Sequence, residues 1–315
     1  MSISNFIHRQ KQKIKYHFAN NSTEKLIAEI NRFDERIEIQ NQAYYVKELN
    51  LYVPKSTCDF IFTSFSLFIS NAKNLNGHYS FEYNELKFNW EDYKINITSA
   101  SEIFIINEIF VEKCYQFKMS TINNKDLVVF DIGMNVGLAS LFFSNIPQVK
   151  KIYGFEPFKP TYLKAKANFA LNPKNAQKIN SLNFGLGKDN KELEVPYSSL
   201  NTGINSTVNS NDKKSDDTNS EKILIRDIYI QLNELINNHS ESEIIIKIDT
   251  EGAEFEIFER LKTEKFWDNV RMIMLEWHFD SPVTIEKYLN NNGFSIVSTV
   301  INKNAGLIYA FRTDQ

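Results

Sequence analysis

The sequence predicts an α/β protein in which helices cover a mostly parallel β-sheet and an antiparallel hairpin completes that sheet. Two observations indicate this fold class. From about residue 126 onward, short apolar and β-branched runs alternate with stretches of helical periodicity, as a parallel sheet with crossover helices requires. Near the end of the chain, two apolar runs are separated by only the residues 302–306, too few for a helical crossover, so the runs should pair antiparallel.

Local patterns justify the individual elements. A helix is expected from about Leu138, where leucines and a phenylalanine share one face, and a second helix ends before Pro173. Near the C-terminus, Ser281-Pro282 favours the start of a helix and Gly293 favours its end. Strands are expected at residues 127–132, 151–155, 243–248, 271–275, 294–300 and 307–312.

Residues 1–100 lack this regular alternation and are predicted to form an N-terminal α+β extension, followed by the α/β domain in residues 101–315. Two helical pieces are expected within residues 5–31, separated by an Ala-Asn-Asn-Ser segment. Aromatic residues that alternate with polar ones across residues 79–90 predict a β-hairpin.

Composition and charge exclude several classes of protein. The 36 Lys and Arg residues are balanced by 39 Asp and Glu residues, whereas a nucleic-acid-binding protein needs a surplus of positive charge. No apolar run approaches the roughly 20 residues of a membrane-spanning helix, and the N-terminal residues lack the apolar stretch of a signal peptide. Cys58 and Cys114 are isolated, so the sequence has no paired-cysteine metal or redox motif. We therefore expect a cytoplasmic protein without a membrane span.

The strongest signal for a ligand-binding site is segment 131–137, with the sequence DIGMNVG, at the carboxyl end of a predicted strand. Ligands bind at this position of parallel sheets because backbone N–H groups of the strand-to-helix turn are free there. Gly133 and Gly137 permit a sharp turn and a close approach of the ligand. The alternative is a tight turn that binds nothing.

Glu156 ends the next predicted strand, 25 residues after Asp131. In nucleotide-binding sheets, an acidic residue near this distance accepts hydrogen bonds from ribose hydroxyls. The dinucleotide fingerprint G-x-G-x-x-G is absent, because Asn135 stands where the second glycine belongs. The predicted ligand is therefore an adenosine without a pyrophosphate, and a nicotinamide enzyme is the least favoured alternative.

A group of carboxylates follows the predicted strand 243–248. Carboxylates grouped at a strand end perturb one another's pKa values and suit metal ions, proton transfer or cationic ligands. Asp249 and Glu251 are interpreted as site residues because they lie at the ligand end of the sheet. Glu254 and Glu256 are interpreted as exposed residues of the next helix.

Glu276 and His278 alternate on one side of another strand end, at the same edge of the sheet. Histidine is the side chain best matched to abstracting a proton near neutral pH, so a catalytic role is expected. The alternative is a structural histidine within the core.

Residues 101–312 resemble the FkbM-type family of class I S-adenosylmethionine-dependent methyltransferases. The segments that carry the resemblance stand in that family's order and are NEIF, FDIGMNVGLASLFFS, YGFEPFKPTYLKAKANFALN, IIIKIDTEGAEFEIFERL and IMLEWH. One departure is Met134, where the family commonly has a small residue. The resemblance implies a doubly wound, seven-stranded, Rossmann-like sheet with six parallel strands and one antiparallel strand.

The resemblance also implies that the cofactor is S-adenosyl-L-methionine. The cofactor-binding residues that it implies are Asp131, Gly133, Asn135 and Gly137 near the methionine part, Glu156 at the ribose, Asn183 and Phe184 near the adenine, and Asp249.

Family members mostly methylate hydroxyl groups, so we expect an O-methyltransferase whose acceptor is a sugar, a glycan or a small secondary metabolite. His278 is the first candidate for the base that removes the hydroxyl proton and Asp249 is the second, while Glu251 and Glu276 orient the substrate. No residue is assigned as a metal ligand. A divalent cation held by Asp249 and Glu251 is an alternative way to acidify the hydroxyl.

The polar segment 198–220 interrupts the regular half of the sequence and is longer than most loops. We expect it to be a mobile flap over the acceptor site, with disorder as the alternative. Two other functions remain open: a nucleic-acid methyltransferase, which the charge balance disfavours, and a non-catalytic cofactor-binding scaffold. The N-terminal extension is expected to contact the acceptor, cover the site or form an oligomer.

Overall fold

A computed structural model describes residues 23–32, 34–55, 59–117, 125–197, 219–262 and 267–312 of the chain. The chain divides into two compact units. The first has the limits Met1–Cys114 together with Ala170–Asn172, and the second has the limits Tyr115–Phe169 together with Pro173–Gln315. The division predicted from the sequence lies at residue 100. No helix within the described ranges combines the length and the apolar composition needed to cross a bilayer.

The first unit contains two small antiparallel sheets and four α-helices among its described residues. In chain order its elements are α1 Thr23–Ile30, β1 Ile37–Ile39, β2 Ala43–Val46, β3 Leu51–Pro54, α2 Phe60–Thr63, α3 Phe65–Asn74, β4 His78–Glu82, β5 Glu85–Trp90, β6 Tyr93–Ile97 and α4 Ala100–Ile106. A short 3-10 helix at Lys47–Leu49 follows β2, and one turn of π-helix at Asn107–Val111 follows α4. The sheets have the strand orders β1-β2-β3 and β4-β5-β6.

The aromatic hairpin predicted for residues 79–90 is confirmed as β4 and β5. The turn consists of Tyr83 and Asn84, which both have positive φ angles, as a tight two-residue hairpin turn requires. Tyr79 and Phe88 are buried and stack with ring centroids 4.4 Å apart, so these aromatic side chains form core. Strand β6 was not predicted. Of the two predicted N-terminal helical pieces, the second is confirmed as α1 and the first lies outside the described residues.

The second unit contains the predicted α/β domain. In chain order its elements are β7 Leu127–Ile132, α5 Leu138–Ser144, β8 Val149–Phe155, α6 Lys159–Leu171, α7 Pro173–Ala176, β9 Ile179–Leu182, β10 Gly185–Gly187, β11 Lys191–Tyr197, β12 Asn219–Asp227, α8 Ile228–Asn237, β13 Glu243–Ile248, α9 Glu254–Leu261, β14 Val270–His278, α10 Val283–Asn291, β15 Ser295–Asn302 and β16 Ala305–Phe311. A short 3-10 helix at Trp267–Asn269 precedes β14.

The central sheet has seven strands in the order β9-β8-β7-β13-β14-β16-β15. Every neighbouring pair is parallel except the two that involve β16, which is antiparallel to both β14 and β15. The sheet is therefore doubly wound with six parallel strands and one antiparallel strand, which confirms the predicted fold. The strand order reverses between β7 and β13, and ligands of such sheets bind outside the carboxyl ends of the strands at this point.

Burial explains why β7 and β13 occupy the centre. All six residues of each strand are buried, so helices cover both faces, as a parallel sheet requires. On one face, Leu232 of α8 and Ile257 of α9 belong to the same buried cluster as Phe130 and Ile246 of the two strands. The central strands and their ends are thus held by a continuous apolar core.

A second sheet in this unit, with the strand order β10-β12-β11, was not predicted. Leu193, Val195 and Tyr197 alternate with polar residues along β11, and this was the sequence signal that indicated a strand. Strands β11 and β12 pair antiparallel on either side of the predicted flap. Residues 198–218 lie outside the described residues, whereas 219 and 220 begin β12 rather than belonging to a flap.

Candidate active site

The structure places the predicted site residues at one edge of the central sheet. Segment 131–137 spans the end of β7, Glu156 follows β8, and Asn183 follows β9. Asp249 follows β13, while Glu276 and His278 close β14. Because these strands are parallel, their carboxyl ends meet along the same crevice.

The turn after β7 is fixed by its backbone geometry. Gly133 has a φ of +78°, and a Cβ at this position would lie 1.7 Å from the carbonyl oxygen of Asp249. The backbone N–H groups of Gly133 and Met134 both donate to the carbonyl oxygen of Phe155, at 3.1 and 2.9 Å. Asn168 of α6 donates to the carbonyl oxygen of Val136 at 3.0 Å. The turn therefore packs directly between the ends of β8 and β13, and only glycine fits at position 133.

Met134, the departure from the family pattern, is accommodated by Gly154 in β8. Met134 is buried, and a Cβ at Gly154 would lie 2.3 Å from its sulfur atom. The side chain thus packs back over β8, in space that the missing side chain of Gly154 leaves open.

Glu156 is buried and closes the turn from the other side. One carboxylate oxygen accepts a hydrogen bond from the backbone N–H of Asn135 at 3.0 Å, and the other accepts from Phe158 at 2.9 Å. Burial raises the pKa of Glu156 to about 7, although both N–H groups favour the ionised form. Glu156 is therefore a buried carboxyl group that titrates in the physiological range.

The residues predicted near the adenine lie beside Glu156. The side-chain amide of Asn183 donates to the carbonyl oxygens of Glu156 and Pro157, at 2.9 and 3.2 Å. Phe184 is half-buried and packs against Phe155, with ring centroids 5.6 Å apart. Asn183 thus holds the backbone that follows β8, and the assignment of both residues to the adenine stays a prediction.

Asp131 is fully buried, and its carboxylate already has partners. Ser140 donates to one oxygen at 2.7 Å, and the ammonium group of Lys247 lies 3.2 Å from the other. Lys247 is 3% exposed and donates a 2.6 Å hydrogen bond to the carbonyl oxygen of Gly133. Asp131 therefore acts through Lys247 on the turn after β7 (residues 133–137), which we call the cofactor turn because the sequence predicts that a cofactor binds there. The sequence reasoning missed Lys247, although a lone lysine within a buried apolar strand was a signal that it needed a partner.

His278 lies among three carboxylates. Its Nδ1 atom is 3.3 Å from Glu254, and its Nε2 atom is 3.6 Å from both Glu251 and Glu276. We call His278 and these carboxylates, together with Asp249, the acidic cluster. It joins the loop after β13 to the end of β14.

The prediction that Glu254 is an exposed helix residue is wrong, because the structure buries it completely. Its Oε1 atom accepts hydrogen bonds from the backbone N–H and the hydroxyl of Thr250, at 2.9 and 2.8 Å. Glu256 is half-buried and pairs with Lys191 at 3.0 Å, so it is not freely exposed either. The helical pattern alone did not reveal that the loop before α9 folds back over Glu254.

The acidic cluster holds His278 in its protonated form. Burial alone would lower the pKa of His278, but Glu251, Glu254 and Glu276 outweigh this effect and raise it to about 12. An imidazolium has no free lone pair and cannot accept a proton. In this arrangement His278 is a hydrogen-bond donor and a cation, which the predicted role as a general base did not anticipate.

Asp249, Glu276 and His278 each offer one ligand atom, and these three atoms lie within 4.8 Å of one another. This spacing suits a divalent cation, but such a cation needs the imidazole nitrogen without its proton. In the described arrangement, the protonated ring of His278 already supplies positive charge to the carboxylates.

The residues around the cofactor turn fit an adenosine joined to an amino acid. Each oxygen of Glu156 accepts one backbone N–H and keeps a lone pair for a ribose hydroxyl. The side-chain oxygen of Asn135 is buried and has no hydrogen-bond partner within the part of the chain that the structure describes. A buried acceptor of this kind needs a donor, and the amino group of a methionine moiety is one.

Comparisons with known proteins agree with this geometry. The profile of the methyltransferase FkbM domain matches residues 131–296, more than half of the chain. Methyltransferase 1 of Beauveria bassiana (strain ARSEF 2860) is 26% identical over 225 residues, which cover 65% of this chain and 87% of that protein. Methyltransferase sdnD of Sordaria araneosa is 27% identical over 224 residues, which cover 64% of this chain and 85% of that protein.

Among solved structures, a methyltransferase FkbM from Methylobacillus flagellatus KT is similar at 13% identity and a TM-score of 0.40, over 80% of this chain and 60% of that chain. The match to the FkbM domain family covers residues 131–296, which include both the cofactor turn and the acidic cluster. The chain therefore belongs to the FkbM family of methyltransferases, and its cofactor is S-adenosylmethionine.

Proposed function

We propose that the chain is an O-methyltransferase that acts on a hydroxyl group of a sugar, a glycan or a secondary metabolite. The observation that carries this proposal is the position of the acidic cluster beside the cofactor turn. The backbone of Asp249 packs against Gly133, so Asp249, the first residue of the acidic cluster along the chain, lies next to the cofactor turn. Groups that accept hydrogen bonds and protons are therefore next to the expected position of the methyl donor.

The charge of the cluster favours a hydroxyl acceptor over an amine. Nearby carboxylates stabilise the protonated form of an amine, and an ammonium group has no lone pair with which to attack. A hydroxyl group stays neutral, donates a hydrogen bond to a carboxylate, and keeps its lone pairs for the reaction. Neighbouring hydroxyls of a sugar would give the remaining carboxylates further donors.

S-adenosylmethionine supplies an electrophilic methyl group on a sulfonium centre. The residues of the chain align the acceptor and take up its proton, and alignment alone lowers the barrier by several kcal/mol. Asp249, the second candidate from the sequence, is the proposed proton acceptor, because its carboxylate is partly exposed, lies 3.9 Å from the ammonium group of Lys247 and follows the backbone that packs against the cofactor turn. Glu251 and Glu276 are proposed to orient the acceptor, and His278 to hold these two carboxylates in place.

A direct test measures transfer of a labelled methyl group from S-adenosylmethionine to a panel of monosaccharides, oligosaccharides, amines and tRNA. We expect label on a hydroxyl group of a carbohydrate or related small molecule. Label in the amines or in tRNA would refute the proposed acceptor class. Calorimetric binding of S-adenosylhomocysteine without transfer to any member of the panel would favour the scaffold alternative.

The proposed base is tested with Asp249→Asn and a matched control, Asp268→Asn, whose side chain is 95% exposed. We expect the first substitution to lower kcat by about 100-fold, within the usual range for removal of a general base, and the second to leave it unchanged. Equal rates for both variants would exclude Asp249 as the proton acceptor.

Three further predictions remain part of the proposal: the cytoplasmic location, the flap, now limited to residues 198–218, and the functions of the N-terminal extension. The flap is tested by hydrogen exchange of this segment with and without cofactor and acceptor. Unchanged exchange would contradict a flap that closes over the site.

A further inference from the structure

Glu254 is a buried carboxylate that the proposed chemistry does not use. It is 0% exposed and is the first residue of α9. Its Oε1 atom accepts from the N–H and hydroxyl of Thr250 and from the N–H of Gly252 at 3.2 Å, and it lies 3.3 Å from Nδ1 of His278. A buried ionised group is costly unless several donors satisfy it, and here the donors come from two separate segments.

The first segment is the loop after β13. Glu251 has a φ of +55°, a left-handed conformation that residues other than glycine rarely adopt. Thr250 and Gly252, on either side of it, both donate backbone hydrogen bonds to Glu254. These two bonds hold Glu251 in the conformation in which its carboxylate faces His278.

The second segment is the end of β14. With Nδ1 of His278 directed at Glu254, the opposite nitrogen faces Glu251 and Glu276, each at 3.6 Å. A carboxylate on one ring nitrogen commonly fixes which way a functional histidine points. The charged groups that face His278 come from all the neighbouring segments and are Asp249, Glu251, Glu254 and Glu276.

We infer that Glu254 is a positioning residue: its buried carboxylate ties the loop after β13 to His278 and thereby sets where Glu251 and Glu276 meet the acceptor. The part of this inference that concerns the acceptor rests on the proposed function. Glu254 itself is shielded from solvent and acts through its two neighbouring segments.

The test compares Glu254→Gln with Glu256→Gln, a matched control on the same helix whose carboxylate pairs with Lys191. The first readout is the ring ¹⁵N spectrum of His278 from pH 6 to 11, assigned among the five histidines with a His278→Asn variant. We expect the ring of His278 to stay protonated across this range in the wild type and in the control, and to lose its proton within this range in Glu254→Gln. This measurement needs no acceptor, so its result is independent of whether the proposed function holds.

The second readout separates positioning from cofactor binding. In Glu254→Gln we expect S-adenosylhomocysteine affinity within about 3-fold of the wild type, and a fall in kcat of about 10-fold or more with the acceptor found in the labelled screen. The double variant with His278→Asn should be no slower than His278→Asn alone, because both changes act through one unit. The inference would be overturned if the losses of kcat in the two single variants added up in the double variant. It would also be overturned if folded Glu254→Gln showed an unchanged His278 spectrum.

Should Glu254→Gln fail to fold, the wild-type spectrum decides the question. The inferred contact requires that Nδ1 of His278 carries a proton at pH 8, whether the ring is charged or neutral. A His278 ring whose Nδ1 carries no proton at that pH would show that Glu254 does not hold it.

Discussion

Lys247 and Asp131 lie side by side on the two central strands, with the ammonium nitrogen 3.2 Å from the carboxylate, and both side chains are buried. Burial alone would lower the pKa of Lys247, but the nearby carboxylates, Asp131 first, raise it above its usual value. The same ammonium group donates to the carbonyl oxygen of Gly133. The pair therefore links the fold's central strands to the cofactor turn.

Replacing Lys247 by Met should destabilise the protein by about 3 to 5 kcal/mol, because it leaves the carboxylate of Asp131 buried without its cation. Lys87→Met is the matched control, since Lys87 is also buried but its partner Glu85 is exposed to water. Urea unfolding measures both. Equal losses of stability would show that the central pair has no special role.

The affinity for S-adenosylhomocysteine should rise as the pH rises through about 7, where Glu156 ionises. The ionised carboxylate accepts hydrogen bonds from ribose hydroxyls more strongly than the neutral acid. The stability of the cofactor-free protein should change in the opposite direction. The pKa of Glu156 rises from its usual 4.5 to about 7 on folding, so the free energy of unfolding decreases as the pH increases between these values. Calorimetry at pH 6 and pH 8 measures the change in affinity.

The control for this pH effect is Glu156→Gln. We expect about 10-fold weaker binding at pH 8, since one charged acceptor is lost, and little dependence on pH. A pH dependence that persists in the variant would assign the titration to another group.

Gly133→Ala should abolish cofactor binding, because the added Cβ would overlap the carbonyl oxygen of Asp249. Gly293→Ala is a close control: its φ of +82° is nearly the same, but nothing lies within 4 Å of its added Cβ. In the control, the free energy of unfolding should fall only by the cost of placing alanine in the left-handed conformation, about 1 to 2 kcal/mol. Thermal unfolding and S-adenosylhomocysteine binding, measured on both variants, separate strain from steric overlap.

Removal of divalent cations should leave methyl transfer within about 2-fold of its original rate. The protonated ring of His278 lies among the carboxylates that could otherwise bind a cation, and a cation would have to displace that proton. The measurement is activity after treatment with EDTA, and again after addition of Mg²⁺ or Mn²⁺. Loss of activity that either cation restores would contradict this prediction.

The sequence pattern was sufficient to predict the strands in which every residue has the same degree of burial. Strands 127–132 and 243–248 were predicted with the limits that the structure shows, because every residue in them is buried. The terminal hairpin was predicted because the short link 302–306 leaves no alternative pairing. Strand β11 was missed although its apolar residues alternate with polar ones, because it borders a long polar segment that was interpreted as a flap.

The site was predicted less completely than the fold. Asp249, Glu251, Glu276 and His278 were placed together from the sequence alone, since the carboxyl ends of parallel strands share one edge. The burial of Glu254 was not predicted, because helical position does not show which loop folds over a side chain. The burial of Lys247 was not predicted either, although Lys247 stands within an apolar strand. The local pattern showed Glu276 beside His278, but the protonation of His278 depends also on Glu251 and Glu254, which lie 24 or more positions away, so the pattern did not predict it.

By itself, the sequence determined the mostly parallel sheet with its antiparallel hairpin, the glycine turn within 131–137 and the edge at which acidic residues gather, whereas the doubly wound strand order was implied by the family resemblance. These features depend on local periodicity and on residue types that a turn or strand end requires. Only the tertiary structure decided the charge of His278, the burial of Glu254 and the pairing of Lys247 with Asp131. Electrostatic interactions depend on distance and burial, and these are fixed only when β7, β13 and β14 lie next to one another.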